Sequence, residues 1–295
     1  MKHSVFAHLA WALALFAGCS CEEEFTQGSS YPADNLVRIT TNIGKLQTRA
    51  GYTTSTLRNF GISIVNPVSS NYTYNNVKVE KSSTDGSWKP EKPMYWHNRE
   101  DTADIAACAP YSSRVANLCG MSDYKVSVSD DQSNMDDYYD SDFLVFKKLM
   151  FIPKTGLNSD GALAIEFEHA MCQLNITVEF SKNKNEESFY TSNPLSELNV
   201  CGTKLNGTCD FTGDKVKVTA TDNVDDIIAL ESETFEPETK EQKAKAHYSC
   251  IVIPQTVAKN GFSIKLYTRS TVKTYVTTES VVFEGGKCYQ PNLSY

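Results

Sequence analysis

From residue 37 onward the chain alternates apolar and polar residues with a period of two. In "VRITTNI" Val37, Ile39 and Ile43 share one parity, while Arg38, Thr40 and Asn42 take the other. Phe60, Ile62 and Ile64 repeat the pattern in "FGISIV", and Tyr72 and Tyr74 lead to Val77 and Val79. Such alternation predicts strands with one buried face. A turn at Asp85-Gly86 returns the chain through Trp88, and further strands are predicted at 104–110, 125–128, 143–146, 163–167 and 174–180. The second half continues in the same style, with strands around Val216 and Val218 and at 227–230, 247–254, 262–267, 272–277 and 281–283. Leu205-Asn206-Gly207-Thr208 reads as a hairpin turn, because Asn-Gly accepts the positive φ angles such turns require.

Many short strands separated by turn residues predict an all-β chain built as two tandem β-sandwich domains. The turn-rich "IPKTGLNSDG" at 152–161 places the boundary so that the domains run 36–158 and 159–295, although the strands at 166–180 could instead close the first. Two stretches lack strand character. Asp130, Asp131, Asp136, Asp137, Asp140 and Asp142 crowd a tract that reads as a solvated acidic loop, since it lacks the glycine a calcium loop uses for its turn. Residues 231–245, rich in Glu and Lys, read as a long loop or a short surface helix.

The start of the chain follows a different pattern. Lys2 and His3 precede a mostly apolar stretch from Val5 to Ala17, shorter than the ~20 residues a spanning helix needs. It reads as a secretory signal peptide over residues 1–18. Phe16-Ala17-Gly18-Cys19 resembles the lipobox of bacterial lipoproteins, in which the cysteine, here Cys19, becomes the lipid-bearing first residue. Phe16 departs from that pattern, which favours a small or aliphatic residue there. Glu22, Glu23 and Glu24 make residues 19–35 a solvated acidic linker, similar to the export tag of some Gram-negative surface lipoproteins.

Composition narrows the function more than the fold. The chain is 40% hydrophobic and 22% charged, normal for a globular protein, and its net charge of −8 with no basic stripe argues against nucleic acid as a partner. Nine cysteines show no CxxC spacing, and several fall within strand patterns, so they read as small buried hydrophobes. Beyond the signal only His97, His169 and His247 remain, far apart in sequence and in no ligand spacing. His169 reads as a packed structural histidine. There is no GxSxG, and Glu166 and Glu168 read as surface carboxylates on a strand, so no catalytic residue, metal or cofactor is implied and the chain is not read as an enzyme. Tyr138, Tyr139, Trp88 and Trp96 could stack on sugar rings or belong to the core, and for Trp96 the core is the better reading.

Several local patterns recur in a fixed order: "TRAGY" at 48–52, "FGISIV", "PMYWHN" at 93–98, "ADIAACAPY" at 103–111, "DFLVF" at 142–146, "IEFEHAMCQLNITVEF" at 165–180, "CIVIPQT" at 250–256 and "FEGGKCYQPNLSY" at 283–295. With the lipobox, this order resembles the fimbrillin-like lipoproteins, subunits of the type V pilus, over nearly the whole chain from Cys19. The resemblance implies two transthyretin-like β-sandwiches in a lipidated precursor exposed on the outer membrane. It also implies cleavage after an arginine by a trypsin-like protease, here between Arg49 and Ala50. The strand carrying Val37, Ile39 and Ile43 would then leave, and a strand from another pilus subunit would fill the slot by donor-strand insertion. One departure stands out: "FEGGKCYQPNLSY" ends close behind the last predicted strand and offers no spare donor segment. That points to a tip or accessory subunit contributing to adhesion. The alternative is a surface lipoprotein that binds a host protein or glycan without polymerising.

Overall fold

The computed structural model describes residues 31–44, 51–182 and 186–295. In chain order the strands of the first half are β1 (Arg38–Ile43), β2 (Asn59–Val65), β3 (Tyr74–Lys81), β4 (Trp88–Pro90), β5 (Ala103–Ala109), β6 (Tyr124–Ser127), β7 (Leu144–Phe151) and β8 (Ala162–His169). Those of the second half are β9 (Cys172–Glu179), β10 (Leu195–Lys204), β11 (Asn206–Asp210), β12 (Lys217–Ala220), β13 (Val224–Ile228), β14 (Leu230–Glu231), β15 (Lys245–Val252), β16 (Gln255–Val257), β17 (Ser263–Thr268), β18 (Val272–Val276), β19 (Val281–Phe283), β20 (Cys288–Tyr289) and β21 (Asn292–Ser294). Among the described residues two short α-helices interrupt them, α1 (Met135–Asp140) and α2 (Pro153–Gly156). The all-β class is the one the alternation predicts.

A seven-stranded sheet runs β1-β8-β7-β5-β2-β3-β4. Its edges approach each other, because the Val37 N–H donates to the Met94 carbonyl at 2.8 Å and Leu36 bridges Tyr95 just beyond β4. The enclosed core holds Phe60, Ile62, Val77, Ile105, Ile165 and Phe167, with Trp96 stacked on Phe151. A second core is walled by β14-β15-β9-β20, β13-β10-β17-β18, β12-β11-β6 and the β16-β19 pair.

The two cores share strands. Ile105 and Ala107 of β5 face the first core, whereas Ala106 and Cys108 face the second. Small side chains in "ADIAACA" let both layers approach one strand, which is why its burial is nearly continuous.

The sheets therefore divide the chain differently from a boundary at 158/159. β8, beyond that boundary, pairs parallel with β1 and antiparallel with β7 in the first sheet. β6, before it, pairs with β11 in the second group. Asn206 and Gly207 are not a hairpin turn but part of β11, which pairs with β6 and β12 and not with its chain neighbour β10. The positive φ belongs instead to Gly202 (87°), at a bulge in β10 where a Cβ would collide with the Gly261 carbonyl.

The acidic tract is not an open loop. Asn134 caps α1 by accepting from the Asp137 N–H at 3.0 Å, and Asp136 and Asp137 occupy the first turn, where carboxylates suit the helix dipole. The 231–245 stretch contains no helix; Glu236 bridges Lys245 in an extended arm. The C-terminal "KCYQPNLSY" carries two strands the alternation does not reveal, β20 and β21, both parallel to β9.

Candidate functional site

β1 is an edge strand whose one hydrogen-bonded strand neighbour, among the described residues, is β8. The pairing is parallel, from Arg38 opposite Ala162 to Ile43 opposite Phe167, and is extended by the Gly44 N–H donating to the Phe167 carbonyl at 2.8 Å. Alternation sends Val37, Ile39 and Ile43 into the first core, where they are 2%, 8% and 8% exposed. Burial of three such side chains contributes roughly 5–9 kcal/mol, at about 1.5–3 kcal/mol each.

The fourth inward position of β1 is Thr41, and it packs poorly by chemistry. Its buried Oγ1 has no hydrogen-bond partner among the described residues. Outside, Arg38 pairs with Asp34 at 2.8 Å and holds that carboxyl below its ordinary range, but both groups are exposed and the pair adds little.

Along the other edge of β1 lies an apolar cavity of about 840 Å3. Val37, Ile39 and Thr41 line one side, and Trp88, Pro90 and Met94 the other. The first core is thus reachable from the seam between β1 and β4. An edge strand beside an apolar slot is a template for strand addition.

Where β1 ends, a buried hydrogen-bonded pair begins. His169, the last residue of β8, lies with Nδ1 2.9 and 3.0 Å from the two oxygens of Asp142, and their side chains are only 5% and 1% exposed. This is the packed, hydrogen-bonded histidine the strand pattern predicts. What the pattern does not reveal is its second role: Asp142 Oδ2 also accepts the Tyr52 N–H at 2.7 Å. The buried Gly51 next to it was legible only as part of "TRAGY".

Cys19, Arg49 and Ala50 lie outside the described residues, as do residues 1–18. Val37, Ile39 and Ile43 come together on one strand face. Tyr138 is not available to stack on a sugar, for it is buried at 1% exposure with its hydroxyl accepting from Gln173 at 3.1 Å. Trp96 is core, and Tyr139, half-buried, stacks on Tyr52. Among the described residues no group of three or more His, Cys, Asp or Glu side chains is placed to hold a metal ion. The cysteines at 108, 119, 172, 201, 209 and 250 are free thiols. Burial pushes Cys108 and Cys119 up to about 12.

A family model described as fimbrillin-like matches residues 48–295. No curated protein matches the sequence. Among solved structures, a candidate cell adhesion protein from Bacteroides ovatus superposes with a TM-score of 0.64 at 16% identity, covering 89% of this chain and 93% of that one. A second candidate cell adhesion protein, from Bacteroides uniformis, gives 0.57 at 20% identity over 90% and 94%. A fimbrial protein from Bacteroides vulgatus gives 0.51 at 15% identity over 88% and 95%. At these identities the likeness is one of fold.

Proposed function

The chain belongs to the fimbrillin-like family, and from that membership we propose that it is a cell-surface pilus subunit assembled by strand exchange. In this reading Cys19 carries lipid that holds the precursor on the outer membrane. A protease cuts between Arg49 and Ala50, β1 leaves, and a strand of another subunit takes its place beside β8. The role is structural and contributes to adhesion, without catalysis or cofactor.

One observation carries the reading: the edge strand β1 and Val37 just before it bury three apolar side chains beside an apolar slot. Removal of β1 would uncover the edge of β8 and the pockets of Val37, Ile39 and Ile43. An incoming strand with alternating apolar residues would satisfy both. A tip or accessory position is supported by the C-terminal segment. β20 and β21 are paired with β9 in the same chain, and the Tyr295 N–H donates to the Glu179 carbonyl at 2.8 Å, so donating this segment would require its detachment.

The test is the intact mass and N-terminal sequence of the protein in sheared surface filaments and in the outer-membrane fraction. A filament species starting at Ala50 is expected. A chain found only in membranes, starting at Cys19, overturns processing and assembly for this protein. Arg49→Ala is expected to leave a folded precursor that does not enter filaments.

A further inference from the structure

The chain is tied to the ends of β7 and β8 on both sides of residues 45–50, by two devices of unequal strength. Upstream, the tie is ordinary strand pairing that ends with Gly44 on the Phe167 carbonyl. Downstream, Gly51 and Tyr52 meet the buried pair formed by Asp142, which leads into β7, and His169, which closes β8. Gly51 is buried with φ at 93°, and a Cβ there would collide with Asp142 Oδ2 and lie 3.2 Å from His169 Cε1. Only glycine fits that backbone and that approach. The Tyr52 ring stacks on Tyr139 with centroids 5.6 Å apart, and its hydroxyl donates to Asp140 at 3.2 Å.

We infer that Gly51, Tyr52, Asp142 and His169 form a latch that keeps the chain downstream of the cut on the body while the upstream strand departs. The inference rests on the proposed cleavage at Arg49, but the latch itself exists in the uncut chain. β1 is held by main-chain pairing with β8, by the Val37 N–H on the Met94 carbonyl just before it and by apolar contacts, all of which a competing strand can replace one for one. The Tyr52 N–H bond to a buried carboxylate that His169 also hydrogen-bonds has no such competitor, because loss of the donor would leave part of the Asp142 bonding capacity unmet away from water. A cut at Arg49 thus detaches one strand, and β2 does not follow it. The latch also shields the next basic site, the exposed Arg58, from the same protease by holding the intervening segment against α1 and β8.

Hydrogen exchange on the purified full chain, followed by limited trypsin digestion, tests this. In the uncut wild type the amides of residues 52–57 are expected to exchange more slowly than those of exposed turns. In Gly51→Ala and Asp142→Asn they should exchange at least about tenfold faster while β2 and β5 stay protected. Trypsin should then give wild-type bodies that start at Ala50, and variant bodies that start mainly at Asn59. Equal exchange in wild type and variants overturns the latch, whether or not Arg49 is cut. Absence of any wild-type product starting at Ala50, with the exchange difference intact, overturns the cleavage and leaves the latch standing. Should Asp142→Asn lose β2 protection as well, Tyr52→Ala reads the same segment, since it strips the ring from Tyr139 and leaves the Asp142–His169 pair in place.

Discussion

Thr41 shows at the residue scale how a strand can be both folded and replaceable. It holds an inward position between Ile39 and Ile43, yet its buried hydroxyl lacks a partner among the described residues. An unmet buried polar atom weakens its strand by about 1–3 kcal/mol. Thr41→Val keeps the shape and removes the hydroxyl, so the uncut chain should become more stable by about 1 kcal/mol in urea denaturation, and release of β1 after cleavage should slow. No gain in stability would mean that the hydroxyl is satisfied in solution. The cysteines give a second prediction. Burial raises the Cys108 and Cys119 thiols from an ordinary value of 9.0 to about 12. A group whose folded value is raised favours folding below its unfolded value and loses that preference as pH climbs through the folded one. Stability should therefore hold up to pH 9 and decline between 9 and about 12, read as a falling Tm. In the same native chain, alkylation of Cys108 at pH 8 should be at least ~100-fold slower than in urea.

At the element scale β1 was legible because its signal is local: apolar Val37, Ile39 and Ile43 on one parity and polar Arg38, Thr40 and Asn42 on the other need no knowledge of the partner. Its partner was not legible. Nothing in "VRITTNI" says that it pairs parallel with a strand more than a hundred residues away, at Ala162–Phe167. β10 escaped for a different reason, since the bulge at Gly202 breaks its parity. Asn206-Gly207 carried a true turn signal that lost to long-range pairing with β6 and β12, and Gly207 packs close to the Thr219 carbonyl. If β1 contributes through burial, Ile39→Ala should destabilise the uncut chain by about 2–4 kcal/mol in urea. After cleavage and removal of β1 the body should bind a synthetic 37–43 peptide of wild-type sequence at least about tenfold more tightly than the same peptide carrying Ile39→Ala. Equal binding of the two peptides would show that the Ile39 pocket does not hold the strand.

At the scale of the whole molecule, class was readable and connectivity was not. Alternation reports faces, and two faces buried on opposite sides of β5 look in sequence like one continuous apolar run. The molecule uses that run to join two cores, with β6 contributed to one and β8 to the other across the turn-rich 152–161 stretch. Residues 36–158 alone lack β8 and the partner of β6, so that fragment should show no cooperative thermal transition by circular dichroism, whereas the full chain melts cooperatively. A sharp transition in the fragment would mean that the first sheet closes without β8. The direction of β1 has a mechanical consequence. It lies along β8 for its whole length, so a strand seated in its place and pulled along its own axis would load every rung of the ladder together. Such a joint fails in shear, with all rungs parting at once, and resists far more than one peeled open from an end.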